Sequence, residues 1–149
     1  MDALDVRITQ LRKYYQEAVN NPIIRNLARR ITSGAKTDLE KVLRIAGWVK
    51  KNIRYQKEPP GVDIIVPPLR LINLGVGDCE DLCLAISSLA GAVGIPVKWK
   101  VISQDGRIWR HIYPLVRVGG RFRPVDLTVP YLPLFGEVRG FVKARVYSV

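Results

Sequence analysis

Cysteine and histidine are scarce in this chain, which contains two cysteines and one histidine. The cysteines, Cys79 and Cys83, are four residues apart, so they cannot build a disulfide framework, and a bridge within one helix would need poor geometry. We therefore expect a reducing compartment. The single histidine, His111, is the one imidazole available for catalysis or metal binding.

Long apolar runs are also lacking, since no stretch approaches the roughly 18 residues that a membrane-spanning helix needs. The first residues, MDALD, do not show the basic segment and apolar run of a secretory signal. We therefore expect no membrane insertion and a cytoplasmic protein, or a virion-associated one if a phage encodes it.

Acidic residues are few relative to basic ones: 13 aspartates and glutamates stand against 24 lysines and arginines, a net charge of +11. Residues 1–57 carry 13 of the basic and 5 of the acidic residues, so the excess lies mainly in the N-terminal part. Such a surface is either simply solvated or binds nucleic acid, an anionic membrane or an acidic protein.

The length of 149 residues, with 48% apolar and 25% charged residues, is typical of one soluble globular domain. Apolar residues recur every three or four positions through the first third of the chain, which predicts helices over residues 3–19, 22–33 and 37–53. We divide the single domain into a helical N-terminal extension, residues 1–36, and a core, residues 37–149.

Residues 56–68 contain four prolines and one glycine, which favours an extended surface loop. Its length makes it a candidate wall of a binding cleft.

Beyond a short helical turn at 69–74, Asp78 is a strong helix N-cap, with Asp81 at the reciprocal capping-box position. Apolar residues nearly surround this helix until Gly94 ends it, so it is predicted to be the buried central helix.

After Gly94 the apolar period changes to two, which predicts strands at 95–103, 109–118, 121–127 and 141–149. The Gly119-Gly120 pair fits a two-residue hairpin turn. Helices followed by an antiparallel sheet indicate an α+β fold, with N-terminal helices and a buried, cysteine-bearing central helix packed on the sheet.

Cys79 is predicted to occupy the first position of the central helix, where unpaired N–H groups and the helix dipole favour an anion. A thiol with a pKa near 8.5 needs about 2.7 kcal/mol to become mainly ionised at neutral pH, whereas a helix terminus supplies about 0.3–1 kcal/mol. The adjacent Glu80 and Asp81 oppose ionisation. Cys79 therefore needs an imidazolium to be reactive.

The hairpin turn indicates which side chains share a face with His111. If Gly119-Gly120 is the turn, Tyr113 pairs with Asp126, and His111 lies diagonal to Asp126 on the same face. A register slip of one residue would separate them. Asp126 can then orient the imidazole of His111 by accepting its second N–H.

A zinc site built from Cys79, Cys83, His111 and Asp126 is the alternative use of these residues, although zinc sites usually contain more histidines. Cys83, one turn further along the helix, is predicted to be a small core residue. Cys79 and His111 could also be purely structural.

Four segments in this order resemble the transglutaminase-like superfamily, cysteine enzymes of papain-like architecture: GDCEDL at 77–82, GIPV at 94–97, HIY at 111–113 and PVDLT at 124–128. The upstream segment WVKKNIRY at 48–55 is similar to the helix before the cysteine helix in that superfamily, and the loop with PPL at 67–69 is similar to the connection in its bacterial and phage-type members. The resemblance covers residues 37–128.

The resemblance implies that Cys79 is the nucleophile, His111 the general base and acid, and Asp126 the orienting carboxylate. The backbone N–H of Cys79 would be one oxyanion donor, and Gln56 and Tyr55 are candidates for the second. Residues 37–149 would then form the catalytic core.

The sequence thus predicts a thiol-dependent hydrolase or acyltransferase that acts on amide bonds of a protein or peptide through a thioester, without metal or cofactor. Hydrolysis is preferred over transglutamination because no site for an acceptor lysine is recognisable. The alternative is a non-catalytic basic domain on the same fold, which would bind nucleic acid, an acidic protein or a phage assembly partner through its N-terminal helices.

Overall fold

Three helices open the fold, and each begins at a side chain that caps it. The computed structural model of the protein describes residues 2–59 and 64–149. Helix α1 spans Ala3–Val19, α2 spans Pro22–Ile31 and α3 spans Asp38–Asn52. Asp2, Asn21 and Thr37 accept hydrogen bonds from backbone N–H groups of the first turns, which otherwise have no partner.

Two further helices surround the segment that carries Cys79. Helix α4 spans Pro68–Leu74, and α5 spans Cys79–Ala92. Every residue of α5 from Asp81 to Ala90 is buried, as the nearly continuous apolar sequence predicted. Helices α1, α2, α3 and α4 all pack against α5, so the residues before position 37 belong to the same hydrophobic core as the rest.

A four-stranded antiparallel sheet follows the helices. Its strands are β3 (Val97–Ser103), β4 (His111–Val118), β5 (Arg121–Pro124) and β6 (Lys143–Ser148), in the order β5-β4-β3-β6. Helix α5 lies against β4, which buries the inner face of the sheet. The predicted α+β fold, with a buried cysteine-bearing helix on an antiparallel sheet, is confirmed.

The predicted strands are longer than the observed ones at several ends. Strand β5 stops at Pro124 instead of residue 127, because Pro114, opposite Val125, has no N–H to continue the ladder. The chain then turns, although the N–H of Val125 still donates to the carbonyl of Pro114 at 2.9 Å. Strand β4 begins at His111 instead of residue 109.

A short parallel pair, β1 (Arg54–Tyr55) with β2 (Val76–Gly77), has no counterpart in the sequence prediction. Two residues per strand are too few to show a period of two. The pair matters because Tyr55 lies opposite Gly77, directly before Asp78 and Cys79.

The proline-rich loop lies only partly within the described structure. Residues 56–59 and 64–67 have no regular structure, whereas residues 60–63, including Pro60 and Gly61, lie outside the described residues. Among the helices that the structure describes, none combines the length and the apolar character that crossing a membrane requires.

Candidate active site

Cys79 lies at the first position of α5, where a reciprocal capping box fixes the start of the helix. The carboxylate of Asp78 accepts the N–H of Asp81 at 2.9 Å, and the carboxylate of Asp81 accepts the N–H of Asp78 at 3.0 Å. Gly77 is needed beside them, because a Cβ there would lie 2.7 Å from both the Cβ of Asp81 and Cδ1 of Leu71. The capping box that the sequence predicted for Asp78 and Asp81 is confirmed, and it places Cys79 at the start of α5.

His111 and Asp126 form a short hydrogen bond of 2.6 Å between Nε2 and Oδ2. The Asp126 side chain is 1% exposed and that of His111 is 19% exposed. The other oxygen of Asp126, Oδ1, accepts the N–H of Thr128 at 3.1 Å and its hydroxyl at 2.7 Å. The carboxylate is therefore held from both sides.

The strand register explains why these two residues meet. Val118 pairs with Arg121 and Leu115 with Pro124, which is the register that the Gly119-Gly120 turn predicts. Asp126 lies just beyond the end of β5, on the face of β4 that carries His111. Tyr113 shares that face, and its ring centroid is 5.4 Å from that of His111.

Cys79 and His111 both line a cavity of about 620 Å³. One wall is the sheet and the loop before His111, and the other is α1, with Leu4, Arg7 and Leu11 among its lining residues. Cys79 and His111, both half-buried, thus line one cavity, and Asp126 is buried behind the imidazole.

Burial raises the pKa of the Cys79 thiol to about 12. The backbone N–H groups of Ile112 and Glu80 point to the sulfur and lower the pKa, while the charges of Asp78 and Glu80 raise it. This balance matches the expectation that a helix N-terminus alone does not ionise Cys79, and burial is the main reason why the thiol stays protonated.

The pKa of Asp126 is affected by opposing effects. Burial on its own would raise this pKa, but the hydrogen bonds from His111 and Thr128 outweigh burial and lower it below the ordinary value. Asp126 is therefore a carboxylate at neutral pH. An ionised carboxylate can only accept hydrogen bonds, so the proton in the bond to His111 belongs to Nε2.

The two residues considered as oxyanion donors point in different directions. The side-chain oxygen of Gln56 accepts from Arg54 at 3.5 Å on the exposed side of the β1–β2 pair. Burial and the charges of Cys79, Asp78 and Asp126 raise the pKa of Tyr55, whose side chain is 39% exposed. Successive residues of a strand face opposite sides, which explains the difference.

Arg7 is a site residue that the sequence did not reveal. Its guanidinium binds both oxygens of Glu80, the residue after Cys79, at 2.9 and 2.6 Å. Both side chains are 20% exposed, and the bidentate geometry is favourable. No local pattern links the two partners, because 73 residues separate them along the chain.

The donor atoms of Cys79, Cys83, His111 and Asp126 do not gather into a metal-sized cluster in the described part of the chain. Cys83 is 2% exposed, and its sulfur lies 4.0 Å from the hydroxyl of Ser87 in the core. The carboxylates of Glu58, Asp78 and Asp81 do lie within 4.8 Å of one another, but Asp78 and Asp81 are engaged in the capping box.

Comparison with known proteins agrees with this architecture. A model of the transglutaminase-like superfamily matches residues 25–127, about two thirds of the chain, and confirms the resemblance seen in the sequence. A comparison with curated proteins found no match.

Two solved structures share the fold. A candidate protease from Parabacteroides distasonis is 14% identical with a TM-score of 0.67, over 89% of this chain and 30% of that one. A candidate cysteine protease from Cytophaga hutchinsonii is 20% identical with a TM-score of 0.61, over 85% of this chain and 46% of that one. The chain therefore spans less than half the length of either protein.

Proposed function

Because this chain belongs to the transglutaminase-like superfamily, we propose that it is a thiol-dependent enzyme that hydrolyses or transfers amide bonds. Cys79 is the nucleophile, His111 the general base and acid, and Asp126 the residue that orients the imidazole. The observation that carries the proposal is the 2.6 Å bond between His111 and the buried Asp126, beside a cavity that Cys79 also lines. A structural histidine would need neither the cavity nor the cysteine.

The hydrogen bond to Asp126 selects the useful tautomer of His111. With the proton on Nε2, the neutral ring has its lone pair on Nδ1, which can accept the proton of the Cys79 thiol. This transfer is essential, because a thiol with a pKa of about 12 is almost entirely protonated at neutral pH. The resulting imidazolium is stabilised by the charge of Asp126.

The reaction follows from these groups. The sulfur of Cys79 attacks the amide carbon as its proton passes to His111, and the tetrahedral intermediate collapses when His111 gives that proton to the departing amine. A thioester remains on Cys79. Water then attacks the thioester with His111 as base, which releases an acid and restores the thiol.

Hydrolysis is the preferred outcome within this proposal. A lysine amine in place of water would make the enzyme a transglutaminase, but no acceptor-lysine site is recognisable in the sequence. We therefore assign peptidase-type hydrolysis of a protein or peptide.

Two donors are suited to stabilise the oxyanion of the tetrahedral intermediate. The N–H of Cys79 belongs to the first turn of α5, where N–H groups have no helical partner. The hydroxyl of Tyr55 is the second donor in this proposal, since Tyr55 pairs with Gly77, two residues before Cys79, and the charges of Cys79 and Asp126 raise its pKa.

Replacing Tyr55 by phenylalanine should lower kcat about 100-fold, the typical cost of removing one oxyanion donor. KM should change little, because the oxyanion exists only in the transition state. Steady-state kinetics with a peptide substrate would measure both values. Tyr131→Phe is the matched control, since Tyr131 is 86% exposed. An unchanged kcat in Tyr55→Phe would remove Tyr55 from the mechanism.

Alkylation tests the proposed function without a known substrate. Iodoacetamide should label Cys79 much faster than Cys83 near neutral pH, because Cys83 is 2% exposed and burial raises its pKa well above the usual range. His111→Ala should slow labelling of Cys79. In that variant the rate should rise about tenfold per pH unit from pH 7 to 10, since the remaining thiol has a pKa of about 12.

Mass spectrometry of tryptic peptides would report the two labelling rates separately. Equal, slow labelling of both thiols, unaffected by His111→Ala, would contradict the catalytic role. It would favour the alternative of a non-catalytic basic domain, whose binding to nucleic acid or an acidic partner should weaken steeply with salt.

A further inference from the structure

We propose that the cavity beside Cys79 takes substrates carrying a carboxylate, which Arg107 and Arg110 bind at its rim, so that the enzyme acts on acidic peptides. This inference rests on the proposed function and names the substrate class of the same site. It is carried by the placement of the two arginines and by the charges around them.

Both arginines lie on the loop that connects β3 to β4 and ends at His111. Arg107 and Arg110 line the same cavity as Cys79 and His111, on the side opposite α1. Because Arg110 and His111 line the same cavity, a carboxylate held there by Arg110 would lie near the reacting amide.

The loop is held in one conformation by its own hydrogen bonds. The carboxylate of Asp105 accepts the N–H groups of Arg107 at 2.8 Å and Ile108 at 3.0 Å, and Gly106 has the positive φ of 78° that this turn needs. The N–H of Arg110 donates to the carbonyl of Ile102 at 3.2 Å. The backbone that carries the two arginines is therefore ordered before substrate arrives, which lowers the entropic cost of binding.

The charges of these arginines are not compensated by an ion pair. Both side chains are exposed, and within residues 2–59 and 64–149 neither forms one at 4.0 Å or less. The charge of Arg110 contributes to lowering the pKa of Asp105, but no ion pair joins these two residues in the described structure. The loop thus presents two cations that are available to a ligand.

The acidic residues of the cavity do not cancel this charge. Glu80 is bound on both oxygens by Arg7, so among the described lining residues Asp78 is the one carboxylate that opposes the two arginines. Two guanidinium groups at the rim of a low-dielectric cleft attract an anion more strongly than the same groups on a flat surface. A substrate carboxylate is the anion that a peptidase cleft would meet most often.

The rest of the cavity favours a peptide over a bare anion. Its apolar lining, from Leu4, Ile8, Leu11, Val101 and Ile112, suits an aliphatic side chain next to the scissile bond. Trp109, between the two arginines in sequence, also lines the cavity, and Lys143 and Arg145 lie 5.7 and 5.0 Å from its ring centroid. The chemistry that fits is an apolar residue flanked by glutamate or aspartate.

Two alkylating reagents of similar size test the charge preference directly. Iodoacetate carries a carboxylate, whereas iodoacetamide is neutral. Relative to iodoacetamide, iodoacetate should label Cys79 about tenfold more slowly in Arg107→Gln/Arg110→Gln than in the native protein at low salt. Arg117→Gln/Arg121→Gln is the matched control, because it removes two exposed arginines near the turn at the far end of β4.

A binding measurement separates this inference from the proposed function. Calorimetry would use the Cys79→Ala protein and two capped peptides, one with glutamates and one with glutamines flanking leucine. The glutamate peptide should bind at least fivefold more tightly, and Arg107→Gln/Arg110→Gln should abolish the difference.

The outcomes are distinguishable. Absence of labelling of Cys79 by either reagent overturns the proposed function, whereas the peptide pair still decides the carboxylate preference. Equal binding of the two peptides, or an unchanged reagent ratio in the double variant, overturns the inference. Binding of a 12-nucleotide single-stranded RNA in place of the glutamate peptide would also overturn it, because that result assigns the arginines to nucleic acid.

Discussion

Alanine in place of Cys79 should abolish amide hydrolysis, with a loss of about 10⁵-fold or more in kcat. Removing the nucleophile eliminates the thioester route, and only binding and oxyanion stabilisation remain. Cys83→Ala should keep kcat within about threefold, because Cys83 lies in the core and its sulfur is 4.0 Å from Ser87, away from the cavity. Each of the two variants removes one sulfur atom, and the two positions are one helical turn apart in α5.

The measurement combines peptide hydrolysis with mass spectrometry of the intact protein. An acyl adduct of the substrate should appear on Cys79 in the native protein and in Cys83→Ala, but not in Cys79→Ala. Thermal unfolding of each variant would show that the loss of activity does not come from unfolding. Replacing the half-buried Cys79 should lower Tm no more than replacing the buried Cys83 does. Hydrolysis that survives in Cys79→Ala would mean that another group attacks the amide.

The surroundings of Cys79, the proposed nucleophile, make its ionisation unfavourable. A buried thiol beside Asp78 and Glu80 has a raised pKa, so in the proposed mechanism it stays neutral and is protected from indiscriminate reaction until His111 accepts its proton. Arg7 reduces the opposing effect of Glu80 by binding both of its oxygens. Under this proposal, the reactivity of Cys79 depends on its geometry relative to His111 and Asp126 and does not reside in the cysteine alone.

Local chemistry made the central part of the site predictable. Asp78 and Asp81 mark the start of α5 by a capping box whose reach is three residues, so sequence alone places Cys79 at the helix N-terminus. Likewise, the Gly119-Gly120 turn fixes the register of β4 and β5, and parity then places His111 and Asp126 on one face. Short-range rules are sufficient where a cap or a turn determines the geometry.

The walls of the cavity were not predictable in this way. The proline-rich loop was expected to be a wall; the described lining comes from α1, the start of α5, the sheet and the β3–β4 loop, and residues 60–63 lie outside the described structure. The contact of Arg7 with Glu80 depends on how α1 packs on α5, which no spacing in either helix specifies. The β1–β2 pair, which brings Tyr55 to the site, is too short to show a pattern.

The basic residues of the chain fall into groups with different surroundings. Arg7 and Arg145 are paired, with Glu80 and with Asp2 respectively, whereas Arg107 and Arg110 face the cavity without such partners in the described structure. The remaining basic residues of α1, α2 and α3 are the ones that we propose as a surface for binding nucleic acid or an acidic protein. That surface and the cavity rim can be tested separately, because different arginines carry them.

Asparagine in place of Asp126 should lower kcat by about 10³–10⁴-fold, even though it differs by one atom. The backbone N–H of Thr128 donates to Oδ1 at 3.1 Å and can accept nothing, so the amide oxygen of asparagine must take that position. The NH₂ group then faces Nε2 of His111 and needs an acceptor there. The ring must move its proton to Nδ1, which can no longer accept the proton of Cys79.

The tautomer itself can be measured, because His111 is the chain's single histidine. In a ¹⁵N NMR spectrum the native protein should show the proton on Nε2, and Asp126→Asn should show it on Nδ1. Asp126→Ala is the control: it removes the acceptor without imposing a donor, so its ring should populate both tautomers and its kcat should be no lower than that of Asp126→Asn. If Asp126→Asn kept the proton on Nε2 and lost less than tenfold in kcat, the carboxylate would not act by orienting the imidazole, and the role assigned to Asp126 would be wrong.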